Sequence, residues 1–187
     1  MIDWNDAEAL LGEALVDQLP HFDRNLQDHL AGTRRLLEEW GASKTLCAAG
    51  LFHSIYGTER YRLKKLSAAM RAEVQKAIGS KAERLVYLFC IMERQSLGDN
   101  LGRWQGFQLK DRSSGAKFSV TAAEFRDICM LFVANWLEQQ ASAPPRAKYR
   151  YAAELSRMEP FVTQQAWAAI VAAYGNLFKK RAASQDG

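Results

Sequence analysis

The chain has 187 residues, 48% of them hydrophobic and 25% charged, with a formal net charge of +4 at pH 7. That length suits one domain with a real core, and that composition is ordinary for a soluble globular protein. Scattered basic residues without a stripe or a known module argue against nucleic-acid binding, and no apolar run approaches the roughly 18–20 residues of a membrane span.

A first helix is expected from about Asp6 to Gln18, stopped by Pro20. The opening stretch MIDWNDAEALLGEAL is acidic and amphipathic, unlike a secretory or mitochondrial leader, so a cytoplasmic protein is expected. A second helix should run from about Asp23 to Trp40 and end at Gly41, a natural C-cap residue. ASKTLCAAGLFHSIYG supplies a third, entered near Ser43 and ended at Gly57. Shorter helices follow from Ser67 to Ile78 and from Ser80 to Glu93. Ser80 with Glu83, and Thr121 with Glu124, have the spacing of capping boxes, which sets both glutamates aside as catalytic candidates.

The stretch QSLGDNLGRWQGFQLKDRSSGAKFSVT is irregular, since its glycines discourage a continuous helix. FQLKD and AKFSV alternate apolar and polar residues around RSSG, the pattern of a β-hairpin, and an excursion of this kind reads as a lid or binding loop. The last long helices are expected from Thr121 to Gln140 and from Pro160 to Lys179, with a break at SAPPR and a short helix near AAELSRM. The reading is an all-α helical bundle with one small β-hairpin excursion. It forms a single domain over residues 1–187, with a core of about 20–140 and C-terminal helices at 145–180 packed on it. Cys47, Cys90 and Cys129 are odd in number, far apart and set in apolar helical stretches, so buried reduced thiols are expected; no C-x-x-C motif is present.

Polar residues on apolar faces carry the functional signal. His29 heads the stripe Thr33, Leu36, Leu37 and Trp40, and Gly32 beside it would let another backbone come close. His53 follows Leu46 and Ala49 at helical spacing and precedes Tyr56, among small residues that allow tight packing. Asn135 lies on the stripe Phe125, Ile128 and Phe132. A lone histidine on such a face is usually a satisfied core residue. Three inward polar groups on three helices are better explained as one buried cluster, because an uncompensated buried amide is costly.

These residues resemble the HD-domain superfamily, helical metal-dependent phosphohydrolases. In that family an early histidine, a later His-Asp pair closing a helix and a distant Asp share one metal site. HFDRNLQDHLAGTRRLLEEWG resembles the first helix, with His29 in the ligand position. AAGLFHSIYGT resembles the second, with His53 in place, and LFVANWLEQ the last, with Asn135 where the Asp is expected. GLFHSIYGT and ERLVYLFC also resemble an uncharacterised branch. The resemblance spans roughly residues 20–140 and implies an HD-like bundle. Arg24 resembles the arginine that alarmone hydrolases place at their nucleotide pocket. The departures are Ser54 for the Asp of the pair and Asn135 for the last Asp. Losing both negative charges removes most of the attraction for a hard cation. His29 and His53 would be the ligands of any retained metal, a single Fe, Mn or Zn, with His21, Asp28 or Glu59 as candidates to close the site; otherwise no cofactor is expected.

Without a metal, the pocket is expected to join His29, His53 and Asn135 as catalytic residues with Arg24, Ser54, Tyr56 and Thr58 as substrate-binding ones. Histidine moves a proton near neutral pH, Asn and Tyr bind a developing oxyanion, and Arg clamps a carboxylate or phosphate. Three functions compete. The first is an enzyme acting by histidine acid–base chemistry on a small polar or anionic molecule, with a degenerate metal site. The second is a metal-dependent phosphohydrolase on a nucleotide-like substrate, and the third a non-catalytic ligand-binding module. The expected partner is a small-molecule substrate, with no nucleic acid, no membrane and a homodimer as a compatible assembly.

Overall fold

Apolar residues at helical spacing organise most of the chain. The computed structural model describes residues 2, 4–18, 24–57, 68–141, 143–144 and 147–183. Its elements are α1 (Trp4–Gln18), α2 (Arg24–Glu39), α3 (Lys44–Phe52), α4 (Ala68–Ile78), α5 (Ser80–Ile91) and α6 (Arg94–Gly98). A hairpin of β1 (Gln108–Lys110) and β2 (Lys117–Ser119) follows, and then α7 (Ala122–Glu138), α8 (Ala152–Leu155) and α9 (Gln164–Ala183). Short 3-10 turns lie at Gln139–Ala141 and Glu159–Phe161. The protein is all-α with one small antiparallel hairpin. Among the described residues, no helix is long and apolar enough to cross a membrane.

The helices at the centre are α2, α3 and α7, which pack on one another, with α5 against α3 and α7. Gly50 makes the α2–α3 contact close: a Cβ there would sit 2.6 Å from Leu37 Cδ1. α2 ends as its sequence indicates, with Gly41 at φ +72°, Gly41 N–H donating to Glu38 O and Ala42 N–H to Leu37 O. α7 is buried over most of its length, from Phe125 to Trp136. The ring of Phe125 stacks on Phe107 at 4.2 Å and meets Phe161 edge-on at 5.1 Å, joining the irregular segment and the C-terminal region to the core. Trp136 Nε1 donates to Tyr174 Oη at 2.8 Å and fixes α9 on α7.

Four local expectations meet corrections. α3 stops at Phe52 rather than running to Gly57, because the His53 ring takes the Gly50 carbonyl at 2.7 Å, and bonds from Ile55 N–H to Phe52 O and Gly57 N–H to Ser54 O tighten the chain into turns. α6 closes QSLG into an unanticipated helical turn. α9 begins at Gln164 rather than Pro160, after a separate 3-10 turn and an extended Val162. Ser80 is the first residue of α5 and caps nothing: the N-cap is Gly79, without a side-chain cap. The capping box at Thr121 and Glu124 is present. The cysteines are free and buried, and burial pushes the Cys47 and Cys90 thiols up to about 11 and that of Cys129 higher still.

Candidate functional site: a histidine pair backed by a carboxylate

His29 projects from the first half of α2, and His53 caps the C-terminal end of α3. Their Nε2 atoms approach to 3.2 Å, with the rings edge-on at a 5.0 Å centroid distance. Asn135 Oδ1, from α7, lies 3.0 Å from His29 Nε2. The structure therefore brings together His29, His53 and Asn135 within hydrogen-bonding distance.

Two residues that the sequence reading left out complete the cluster. Glu138 Oε2 accepts from His29 Nδ1. Gln139 Nε2 donates to Asn135 Oδ1 at 3.1 Å and lies 3.3 Å from His29 Nε2. Asn135, Glu138 and Gln139 stand at i, i+3 and i+4, one face of the end of α7. That spacing was the available signal. Gly32 makes room for Glu138, since a Cβ on Gly32 would meet Glu138 Cγ at 2.8 Å. The close approach anticipated at Gly32 is thus made by a side chain and not by a backbone.

The hydrogen bonds fix where protons sit. Gly50 O can only accept, so His53 carries its proton on Nδ1. Glu138 likewise takes the Nδ1 proton of His29. In those tautomers both Nε2 lone pairs would face each other across 3.2 Å, which repels. A donor or a cation between them would relieve the repulsion, and the Gln139 amide, 3.3 Å from His29 Nε2, is placed to donate to that lone pair. His53 is 1% exposed and packs edge-on against Phe89 at 5.7 Å. Its burial first, and then the neighbouring His29, push its imidazole down to about 3. His29 and Glu138 are the more open pair, with side chains 14% and 23% exposed. Arg94 stacks 4.0 Å from the Phe89 ring centroid and donates to Phe89 O at 2.7 Å, and its charge also lowers the His53 imidazole.

Of the remaining expected site residues, the described ones make no hydrogen bond to this cluster. Ser54 is buried, 5% exposed, and its hydroxyl makes no hydrogen bond among the described residues. Tyr56 is buried and turns to another polar centre, its Oη donating to Glu83 Oε1 at 3.1 Å. Asp28 is exposed. Thr58, His21 and Glu59 lie outside the described residues, and so does the side chain of Arg24.

Glu83 departs from the expected capping role as well. It is not a capping residue but a fully buried carboxylate. Arg71 Nε and Nη2 clamp its two oxygens at 2.6 and 2.9 Å, and Gln75 Nε2 donates at 3.0 Å. Burial alone would raise this carboxyl, but the hydrogen bonds from Arg71 and Gln75, with the Arg71 charge, hold it below the usual carboxylate range. The quartet ties α4 and α5 to the turn that follows His53. Among the described residues, no group of three or more His, Cys, Asp or Glu is arranged to hold a metal ion.

Residues 10–94 match the family model described as a domain of unknown function, DUF6817. The match takes in His29, His53 and Glu83 and ends before α7 supplies Asn135, Glu138 and Gln139. No curated protein and no solved structure matches the chain.

Proposed function

We propose that the protein is an enzyme that transfers protons to and from a small polar or anionic molecule at the His29–His53 pair. The observation that carries this reading is the approach of two Nε2 atoms to 3.2 Å while Gly50 and Glu138 occupy both Nδ1 positions. A packing histidine needs one satisfied nitrogen; here two helices and a carboxylate turn the remaining nitrogens of two rings toward each other. Glu138 orients His29 by accepting its Nδ1 proton, as a carboxylate does beside a catalytic imidazole. His53, held neutral by burial, is the resident acceptor. Asn135 Oδ1 and the Gln139 amide flank the reacting nitrogen and can bind a polar group on the substrate. The order His29, His53, Asn135 also follows the HD-domain pattern, which supports a pocket-forming role.

The test is a pool of small polar metabolites incubated with wild type, His29→Gln and Glu138→Gln and read by mass spectrometry. One compound should be consumed by wild type, with turnover falling by about 10²–10⁴-fold in His29→Gln, the usual worth of general acid–base catalysis. An unchanged pool, with a ligand that co-purifies, would replace this reading with a non-catalytic binding module.

The same distances favour a second reading. Separations of 3.2 and 3.0 Å about His29 Nε2 suit neighbouring ligands of one ion with bonds of about 2.1 Å. Two imidazoles and an amide oxygen form a neutral donor set, which fits Zn²⁺ or Fe²⁺ and not a hard cation. His29, His53 and Asn135 would hold the ion, Glu138 would orient His29 from behind, and the ion would supply Lewis-acid polarisation of a phosphoryl oxygen. Stoichiometric metal in the purified protein, lost in His53→Ala, selects this reading; metal-free folded protein with turnover selects the first.

A further inference from the structure

One edge of the β-hairpin is closed with care and the other is bare. The register pairs Gln108 with Ser119, Leu109 with Phe118 and Lys110 with Lys117, flanked by bonds from Asp111 N–H to Ala116 O and Val120 N–H to Phe107 O. Bonding alternates along an antiparallel pair, so Ala116, Phe118 and Val120 face β1. The main-chain groups of Lys117 and Ser119 point away from it.

On the far side of β1, every outward group is met. Asn100 accepts from Gln108 N–H at 3.1 Å and donates to Gln108 O at 2.7 Å. Ser96 Oγ accepts from Lys110 N–H at 3.1 Å, and Glu93 N–H donates to Lys110 O at 2.7 Å. Asn100 is 2% exposed and Ser96 5%, side chains buried to serve one strand edge. Nothing equivalent covers β2: among the described residues, no hydrogen bond reaches the main-chain N–H or C=O of Lys117 or Ser119.

This bare edge borders a groove of about 320 Å³ between the hairpin and α5. α5 passes along the hairpin, held at one end by Arg112 N–H on Ile91 O and at the other by Arg84 on Glu124, just beyond β2. Tyr87, Leu88, Ile91 and Phe118 give the groove an apolar lining, and Arg84 and Lys117 stand in its wall. The acid on this wall, Asp111, is occupied by the hairpin turn, accepting from Ser113 and Ser114 N–H at 2.7 and 3.0 Å.

We infer that the β2 edge and this groove receive an extended peptide of alternating acidic and apolar residues, added to the hairpin as a further strand. Unpaired main-chain groups give such a peptide its direction and register, while alternate side chains enter the groove. Lys117 selects the partner. A lysine on an edge strand disfavours edge-to-edge pairing of two copies of β2, whereas a glutamate opposite Lys117 is favoured. This site is separate from the histidine pair and does not depend on its chemistry.

The probe is an acetylated, amidated hexapeptide alternating glutamate and valine, titrated to millimolar concentration into the full-length, ¹⁵N-labelled protein. The amide signals of Lys117 and Ser119 should shift most, and their hydrogen exchange should slow by about tenfold or more. The same peptide N-methylated on its strand-facing residues should fail to do this, and so should the unmodified peptide with Lys117→Pro, which removes one outward N–H while sparing the bonds to β1. Unchanged exchange at Lys117 and Ser119 overturns the inference. So does equal binding of the N-methylated peptide, or of a lysine–valine peptide. If Lys117→Pro does not fold, the N-methylated comparison decides by itself.

Discussion

A methyl group placed on Gly32 tests the Glu138–His29 pair without touching either residue. The Cβ of Gly32→Ala would lie 2.8 Å from Glu138 Cγ and 2.9 Å from Oε1, closer than packed atoms allow, so the glutamate must swing away from His29. Two opposed terms follow. Replacing glycine in a helix interior gains about 1 kcal/mol, and losing a hydrogen bond to a charged group costs about 1.5–3 kcal/mol. The expected net change is a loss of about 0.5–2 kcal/mol, in a substitution that helix propensity alone would make stabilising. In Glu138→Ala there is no pair left to break, and Gly32→Ala should then stabilise by about 1 kcal/mol. Urea unfolding of the four proteins at pH 7 gives the coupling directly. Equal effects of Gly32→Ala in both backgrounds, to within about 0.3 kcal/mol, would refute the claim that Gly32 is there for Glu138.

Further predictions concern the buried ionisable groups. An imidazole titrates near 6.5 in an unfolded chain and at about 3 in the folded His53. Between those values the unfolded state binds a proton that the fold does not. Stability from this residue is therefore fully present above about pH 6.5 and falls as the pH drops, by up to about 1.4 kcal/mol per pH unit. His53→Gln should flatten the stability profile between pH 6.5 and 5; an unchanged slope would show that the ring is not held neutral. Arg71→Met leaves the fully buried Glu83 carboxylate without its guanidinium and should cost about 3 kcal/mol, with recovery in the double variant carrying Glu83→Gln. A loss under about 1 kcal/mol in urea unfolding would contradict the burial of that pair. The Glu83 contribution is present above the ordinary carboxylate pKa of about 4.3 and is lost as the pH falls through the lower value of the folded state, so Glu83→Gln should lack this acid-side loss.

The helices were legible because their apolar faces repeat with the helical period, and polar residues on those faces, such as His29, His53 and Asn135, announced that something inside needed them. Less legible was whatever depends on partners distant in sequence. Ser80 and Glu83 have the local signature of a cap, but Glu83 lies on the buried face of α5 opposite Arg71, and a bidentate ion pair from the preceding helix outweighs a capping bond. Glu138 and Gln139 close the helix expected from Thr121 to Gln140, and their spacing from Asn135 puts them on its face. The end of α3 was misjudged for a related reason: the period of Leu46, Ala49 and His53 is helical, but it is the His53 ring that claims the Gly50 carbonyl. Asn100 had no sequence signal at all, since its role is set by the strand that the chain later lays beside it.

The three thiols have one further consequence. Cys47, Cys90 and Cys129 sit in α3, α5 and α7, and only a thiolate reacts with an alkylating reagent. Protonated and shielded, each can be labelled only in the moments when its own helix parts from the rest. Cys90 also rests on the His53 carbonyl, at 3.1 Å. Labelling times read one cysteine at a time therefore form a set of internal clocks, and the one at Cys90 keeps time for the breathing of the histidine chamber itself.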